Sequence, residues 1–140
     1  TGHVVPALLR KAHEAKLAGA DELVVWGTGT PRRELLHVDD CADALVLITQ
    51  AYSGNEPVNV GAGSDVSIRE LAETIAAVVG FEGRIVLDGS KPDGTPRKLM
   101  DGRKLENMGW RPRYDLRTGL ADAYRAFMTE TQGGNRRQAR

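Results

Sequence analysis

The sequence predicts an α/β fold in which several helices alternate with short strands. In several segments apolar residues recur at three- and four-residue spacing, which is typical of helices with one buried face. Short β-branched runs bounded by glycine or proline stand between these segments, as expected of strands. With 140 residues, 41% of them hydrophobic, the chain can form one compact domain. We expect this domain over residues 1–132, followed by a disordered, arginine-containing tail over residues 133–140.

The first half of the chain predicts a helix, two strands and a second helix. Apolar periodicity from Val4 to Leu17 indicates the first helix, with Pro6 tolerated in its first turn. Glu22 to Trp26 form a strand, and a glycine-containing turn leads to another strand that starts near Arg32. Asp39 and Asp40 can cap the second helix, whose expected end is Gly54. Its expected buried stripe is Cys41, Ala44, Leu45, Ile48 and Tyr52.

The second half predicts two strands and three helices. Pro57 to Val60 suggest a brief strand. Ser67 and Glu70 have the spacing of a capping box, which starts a strongly periodic helix that ends at Gly80. A strand from Arg84 to Leu87 follows. Residues 102–108 suggest a short helix, and Asp115 can cap the last one.

A cationic loop follows the strand that starts at Arg84, with the sequence Lys91-Pro92-Asp93-Gly94-Thr95-Pro96-Arg97-Lys98. Proline fixes φ and glycine permits tight turning, so we expect a stiff loop that presents its three cations reproducibly. A guanidinium can hold two phosphate oxygens at once, and lysines add point charges. The loop therefore predicts a site for an anion such as a diphosphate. A solvated surface turn is the alternative.

Composition argues against several classes of function. The 19 basic and 19 acidic residues give a formal net charge of zero, so neither a nucleic acid nor a membrane surface is an expected partner. Cys41 is the lone cysteine and no signal peptide is recognisable, which favours a reducing, cytoplasmic setting. No histidine, cysteine or carboxylate group has metal-ligand spacing, so no metal site is predicted.

Three further residues are candidates for chemistry. His3 stands at a loop-to-helix junction, which suits a general acid or base, although a lone histidine is more often structural. Trp26 can stack on a base and Arg33 can hold a phosphate; a core tryptophan and a surface arginine are the alternatives. The short glycine pairs lack the spacing of a dinucleotide fingerprint, and no Tyr-x-x-x-Lys pair is present.

Taken together, four segments resemble the carboxy-terminal, substrate-binding part of the GDP-L-fucose synthase family, which are extended short-chain dehydrogenases/reductases. The segments are His3 to Leu9, Val25 to Asp40, Asn59 to Leu71 in part, and Lys91 to Lys98. The Arg-Glu-Leu-Leu-His-Val-Asp-Asp and Asn-Val-Gly stretches are shared widely among nucleotide-sugar epimerases and dehydratases. The His3 segment and the cationic loop are specific to the fucose enzymes.

The resemblance implies binding of GDP-4-keto-6-deoxy-D-mannose, inversion of C3 and C5 of its sugar, and NADPH-dependent reduction of C4. His3 would then be the general acid. The positions that match substrate contacts are Lys11, Trp26, Arg33, Arg84 and Lys98. The NADP site and the residues that reduce the ketone would lie in an upstream Rossmann domain, so the cofactor half is absent from this chain. A fragment without that domain would expose apolar surface, and we expect it to be inactive alone and to form a homo-oligomer.

Two other functions stay open from the sequence. Another epimerase or reductase of the same superfamily, such as a relative of the UDP-sugar 4-epimerases, would share the general segments without needing His3 or the cationic loop. A non-catalytic nucleotide-sugar binding or assembly module would account for the lack of a cofactor half. Preference for GDP over UDP separates the first of these from the fucose enzymes.

Overall fold

In a computed structural model, residues 3–137 are described and form five helices and five short strands in a mixed α/β arrangement. The helices are α1 (Val4–Leu17), α2 (Val38–Ala51), α3 (Ile68–Val79), α4 (Arg103–Asn107) and α5 (Leu116–Arg137). The strands are β1 (Glu22–Trp26), β2 (Arg32–Arg33), β3 (Val66–Ser67), β4 (Arg84–Asp88) and β5 (Arg97–Lys98). The α/β class predicted from the sequence is confirmed.

The strands form two small sheets. Strands β1 and β4 are parallel, with Glu22 opposite Arg84 and Trp26 opposite Asp88. The second sheet has the order β3-β2-β5, in which β2 is antiparallel to β3 and parallel to β5. Because parallel neighbours end at the same edge, the loops after β1 and β4 leave the first sheet side by side.

Helix α3 is the centre of the core. It packs against α1 and α5, and its side chains Leu71, Ala72 and Ile75 are fully buried. The predicted capping box starts the helix, since the Ser67 side chain accepts from Glu70 N and the Glu70 side chain accepts from Ser67 N. Gly80 ends it in the left-handed conformation at φ 82°, as the sequence predicted.

Helix α2 differs from its prediction at its start and on its apolar face. His37, rather than either aspartate, is the N-cap residue: its Nδ1 accepts from Asp39 N at 3.0 Å. Asp40 is buried instead, and its two carboxylate oxygens accept from the backbone N–H groups of Arg113 and Tyr114, each at 3.0 Å. Of the expected buried stripe only Ala44 is buried, whereas Leu45 is 53% exposed.

Two other segments differ from the sequence predictions. Residues 57–60 form no strand, because no described segment supplies the ladder partner that a strand requires. Helix α5 continues to Arg137, five residues into the segment expected to be disordered, since an established helix gains one backbone hydrogen bond for each residue added. Residues 138–140 of that segment lie outside the described part. Within that part, no helix combines the length and apolar character needed to cross a bilayer.

Candidate functional site

The loops that follow β1 and β4 form one surface with Trp26 at its edge. The indole of Trp26 is 62% exposed. Lys11 Nζ, from α1, lies 4.9 Å from its ring centroid, and Lys91 Nζ, from the cationic loop, lies 5.3 Å from it. A cation within about 6 Å of an indole face is attracted by the ring's electron density. The fold therefore brings together Lys11 and Trp26, two of the candidate residues, and adds Lys91.

Asp93 fastens the cationic loop to the loop after β1. Its carboxylate accepts from Thr28 N at 2.8 Å and from Thr28 Oγ1 at 2.7 Å. Both hydrogen bonds favour the charged carboxylate, the hydroxyl bond most, and they hold the pKa of Asp93 below its ordinary value of 3.8. Gly27 makes this approach possible, because its φ is 95° and a Cβ there would collide with the Asp93 carboxylate.

Asp65 joins the cationic loop to β2. One carboxylate oxygen accepts from Arg32 Nε at 3.0 Å and the other from Arg97 Nε at 2.7 Å. The Asp65 side chain is only 5% exposed, and the hydrogen bond from Arg32, followed by that from Arg97, lowers its pKa against the effect of desolvation. The guanidinium of Arg97, which the sequence suggested for phosphate oxygens, is thus bonded to a carboxylate.

Arg33 and Lys98 lie opposite each other on the other face of the same strands. The register pairs Arg32 with Arg97 and Arg33 with Lys98. Side chains alternate between faces along a strand, so Asp65 forms ion pairs with both members of the first pair, while the second pair lies on the opposite face. Within the described residues no carboxylate forms an ion pair with Arg33 or Lys98. Like charges at opposed positions repel, and a bound anion would remove that repulsion.

The backbone around Arg33 orients its guanidinium. Arg33 Nη1 donates to the carbonyl oxygens of Arg32, at 2.7 Å, and of Thr95. The second of these carbonyls belongs to the cationic loop. Two fixed acceptors reduce the conformational freedom of a long side chain, so less entropy is lost when a ligand binds to its remaining donors.

The remaining candidates, His3 and Arg84, lie apart from this surface. His3 is exposed at the start of α1, and its side chain makes no capping hydrogen bond. It is eight residues before Lys11, about 12 Å along the helix. Arg84 begins β4 and bonds to Glu22 at 2.6 Å, at the end of the sheet opposite Trp26, about 13 Å away along the strands. The structure does not bring Arg84 to the surface around Trp26.

Among the grooves formed by the described residues are two further ones, of which one borders this surface at Arg33. The larger, about 710 Å³, lies between α5 and residues 33–38, and it reaches Arg33 and Val5. His37 forms part of its wall, stacked on Tyr114 at 3.8 Å between ring centroids and bonded through Nε2 to Asp122 at 2.8 Å. Since Nδ1 of this histidine accepts from a backbone N–H, Nε2 carries the proton, which fits a structural histidine. The smaller groove, about 440 Å³, lies between residues 61–64 and 99–112.

The described residues do not fit a dinucleotide cofactor. Such a cofactor needs a strand, a turn with three spaced glycines and a helix whose N-terminus faces the pyrophosphate. Gly27 and Gly29 do follow β1, but the chain then continues into the short strand β2. The turn after β1 therefore lacks the arrangement that holds a dinucleotide pyrophosphate.

Sequence reasoning missed the two aspartates that build the surface. Asp93 stands between a proline and a glycine, a position typical of turns, and its residue type gave no sign that its carboxylate is the link to Thr28. Asp65 gave no signal at all, because its partner Arg32 is 33 positions away and Arg97 is 32 positions away. Only the folded arrangement shows these contacts.

Comparison with known proteins finds relatives in the same family that the sequence segments resemble. Residues 1–61 match the family model described as the NAD dependent epimerase/dehydratase family. GDP-L-fucose synthase 1 of Arabidopsis thaliana is 61% identical over 122 residues, which are 87% of this chain and 38% of that protein. GDP-L-fucose synthase of Escherichia coli (strain K12) is 50% identical over 135 residues, covering 90% of this chain and 42% of that protein.

Solved structures show the same fold. A GDP-L-fucose synthetase from Naegleria fowleri bound to NADP superposes with a TM-score of 0.84 at 27% identity, over 94% of this chain and 41% of that one. The chain thus spans about two fifths of the length of the relatives that it matches. In sequence and in fold, the chain is related to the GDP-L-fucose synthases and corresponds to their carboxy-terminal part.

Proposed function

We propose that this chain holds the GDP-sugar substrate of a GDP-L-fucose synthase and supplies the general acid for its epimerisation. The observation that supports the proposal best is the cation pair of Arg33 and Lys98, which no carboxylate among the described residues neutralises. A diphosphate carries the opposite charge and offers several acceptor oxygens to a guanidinium and an ammonium group. This pair would therefore bind the diphosphate of the substrate.

The rest of the nucleotide sugar would lie along the cationic loop. Trp26 presents an exposed indole on which a ring can stack, and Lys11 and Lys91 flank it with two positive charges. The contact between Thr28 and Asp93 holds the loops of Trp26 and Lys98 together before the ligand arrives. A surface formed in advance loses less entropy on binding. Arg84, at the opposite end of β4, stays a candidate without this support.

His3 would act in the inversion of C3 and C5. A carbon beside the C4 ketone can lose a proton because the carbonyl stabilises the resulting charge, and a proton returned to the other face inverts the centre. We propose that His3 returns the proton, working with a cysteine outside this chain. Its exposed side chain, free of any capping hydrogen bond, is available for that step.

For the complete protein we propose NADP as the cofactor that reduces C4, bound by an amino-terminal Rossmann domain outside this chain. The NADP of the Naegleria fowleri structure supports this choice. That domain would cover the exposed apolar side chains of α2, namely Val38, Leu45 and Val46. Without it, we propose that two copies of the chain associate through the same face, which sedimentation of the purified chain tests. Free Cys41 fits a cytoplasmic location.

Calorimetric titration with GDP, GDP-fucose and UDP tests the proposed binding function. We expect the folded chain to bind both GDP ligands more tightly than UDP, and Arg33→Ala to weaken both. Preference for UDP would instead favour another epimerase of the superfamily. A folded chain that binds none of the three ligands would refute the proposal that this part of the protein holds the nucleotide by itself.

A further inference from the structure

The Asp65 side chain, which is 5% exposed, lies on one face of strands β2 and β5, and because side chains alternate along a strand the two proposed diphosphate ligands lie on the other. Its carboxylate receives one Nε–H from each strand, at 3.0 Å from Arg32 and 2.7 Å from Arg97. The backbone carbonyl of Asp65 also accepts from Arg32 Nη2 at 3.2 Å. Asp65 thus links the central strand to the strand of the cationic loop on this face, in addition to the contact between Arg33 and the Thr95 carbonyl.

The strands need such a link because each is only two residues long. Apart from the ladder between these residues, the backbone contact where they meet is Arg32 N donating to Pro96 O at 2.8 Å. A shift of one residue in the pairing of two strands moves every side chain to the opposite face. A shift of β5 by one residue would turn Lys98 toward Asp65. A residue next to Lys98 in the sequence would then stand opposite Arg33.

We propose that Asp65 is a positioning residue for nucleotide binding, which sets the register that places Lys98 beside Arg33. This inference rests on the proposed function, since it assigns Asp65 a role in the same diphosphate site. Asp65 does not itself contact the ligand. It acts through the strand pairing, and its two arginine partners occupy the face away from the ligand.

An electrostatic role and a positioning role of Asp65 predict opposite changes in ligand affinity when its charge is removed. Asp65→Asn leaves the shape of the side chain almost unchanged and takes one negative charge from the vicinity of the site. If the carboxylate affected the ligand only through its field, an anionic ligand would bind more tightly to the variant. If the carboxylate sets the register, the ligand would bind more weakly in spite of the added positive charge. The sign of the change therefore distinguishes the two roles.

The experiment measures the dissociation constants of GDP and of guanosine for the full 140-residue chain, at a temperature where circular dichroism shows each variant folded. For Asp65→Asn we expect the GDP constant to rise about 10-fold or more, the effect of losing one charge-assisted contact. Guanosine has no phosphate, so its constant should stay unchanged. Arg97→Lys keeps the charge but loses the Nε contact with Asp65, so we again expect weaker GDP binding and unchanged guanosine binding. This variant also tests the proposal if Asp65→Asn does not fold.

Glu56→Gln is the matched control, because it removes one negative charge from an exposed pair with Lys104 that lies outside the strand pairing. Its GDP constant should stay within about twofold of the parent chain. Unchanged or tighter GDP binding in Asp65→Asn would overturn the positioning role. An equal loss of affinity for GDP and guanosine would also overturn it, because it would indicate a general structural effect. Failure of the parent chain to bind GDP would instead overturn the proposed function on which the role rests.

Discussion

Replacing Lys98 by alanine should separate binding from stability. Lys98 is exposed, and no ion pair connects it to any other described residue. Exposed substitutions of this kind change the free energy of unfolding by no more than about 0.5 kcal/mol. Removing a charge opposite Arg33 also relieves a repulsion, so any change in stability should be in the favourable direction.

The same substitution should cost considerable affinity for GDP. A hydrogen bond to a charged group contributes about 1.5–3 kcal/mol, which corresponds to a dissociation constant about 10- to 100-fold higher. Calorimetric titration with GDP and urea denaturation of the same preparations measure both quantities. Lys104→Ala is the control, since it removes the same charge from an exposed pair with Glu56 at 2.9 Å, and its GDP affinity should change less than about twofold. Lost stability with unchanged GDP affinity in Lys98→Ala would refute the assignment of this lysine.

Three further predictions follow from the geometry of the site. Gly27→Ala should lower the free energy of unfolding by about 1–3 kcal/mol and weaken GDP binding, because φ is 95° and the added Cβ collides with Asp93. Urea denaturation that shows no loss of stability would contradict this. The pKa of Asp93 in the folded chain lies below 3.8, so its contribution to stability is complete above pH 3.8 and disappears as the pH falls through the lowered pKa. Asp93→Asn should therefore flatten the acid side of a plot of unfolding free energy against pH. An unchanged plot would argue against the contact between Asp93 and Thr28. His3→Ala should leave GDP affinity and stability unchanged, since no capping hydrogen bond is lost, but should abolish inversion at C3 or C5 in the complete enzyme. Retained inversion of both centres would exclude His3 as the acid.

Much of the fold could be predicted from the sequence because local signals and tertiary packing agree. Helix α3 has a capping box at Ser67, a periodic apolar stripe and a terminal Gly80, and all three act as predicted. Helix α2 shows where that agreement fails. Its apolar periodicity indicated a buried stripe that includes Leu45, but Leu45 is exposed in this chain, because periodicity shows which residues share a face and not what covers it.

The candidate site could be predicted only in part. Trp26 and the cationic loop were recognisable from residue type and spacing, and the fold brings Lys91 of that loop next to the indole. The partners of the cations were not recognisable. By residue type Arg97 is as suitable for phosphate as Lys98. Only the strand register reveals that Asp65 bonds to Arg97, while Lys98 lies on the opposite face.

The most direct test of the proposed site is amide chemical-shift mapping of the isotope-labelled chain during titration with GDP. We predict that the shifts concentrate in residues 26–33 and 91–98, where Trp26, Arg33 and Lys98 lie. Shifts concentrated in the groove between residues 61–64 and 99–112, with the cationic loop unaffected, would contradict the assignment of the nucleotide to the surface formed by Arg33 and Lys98.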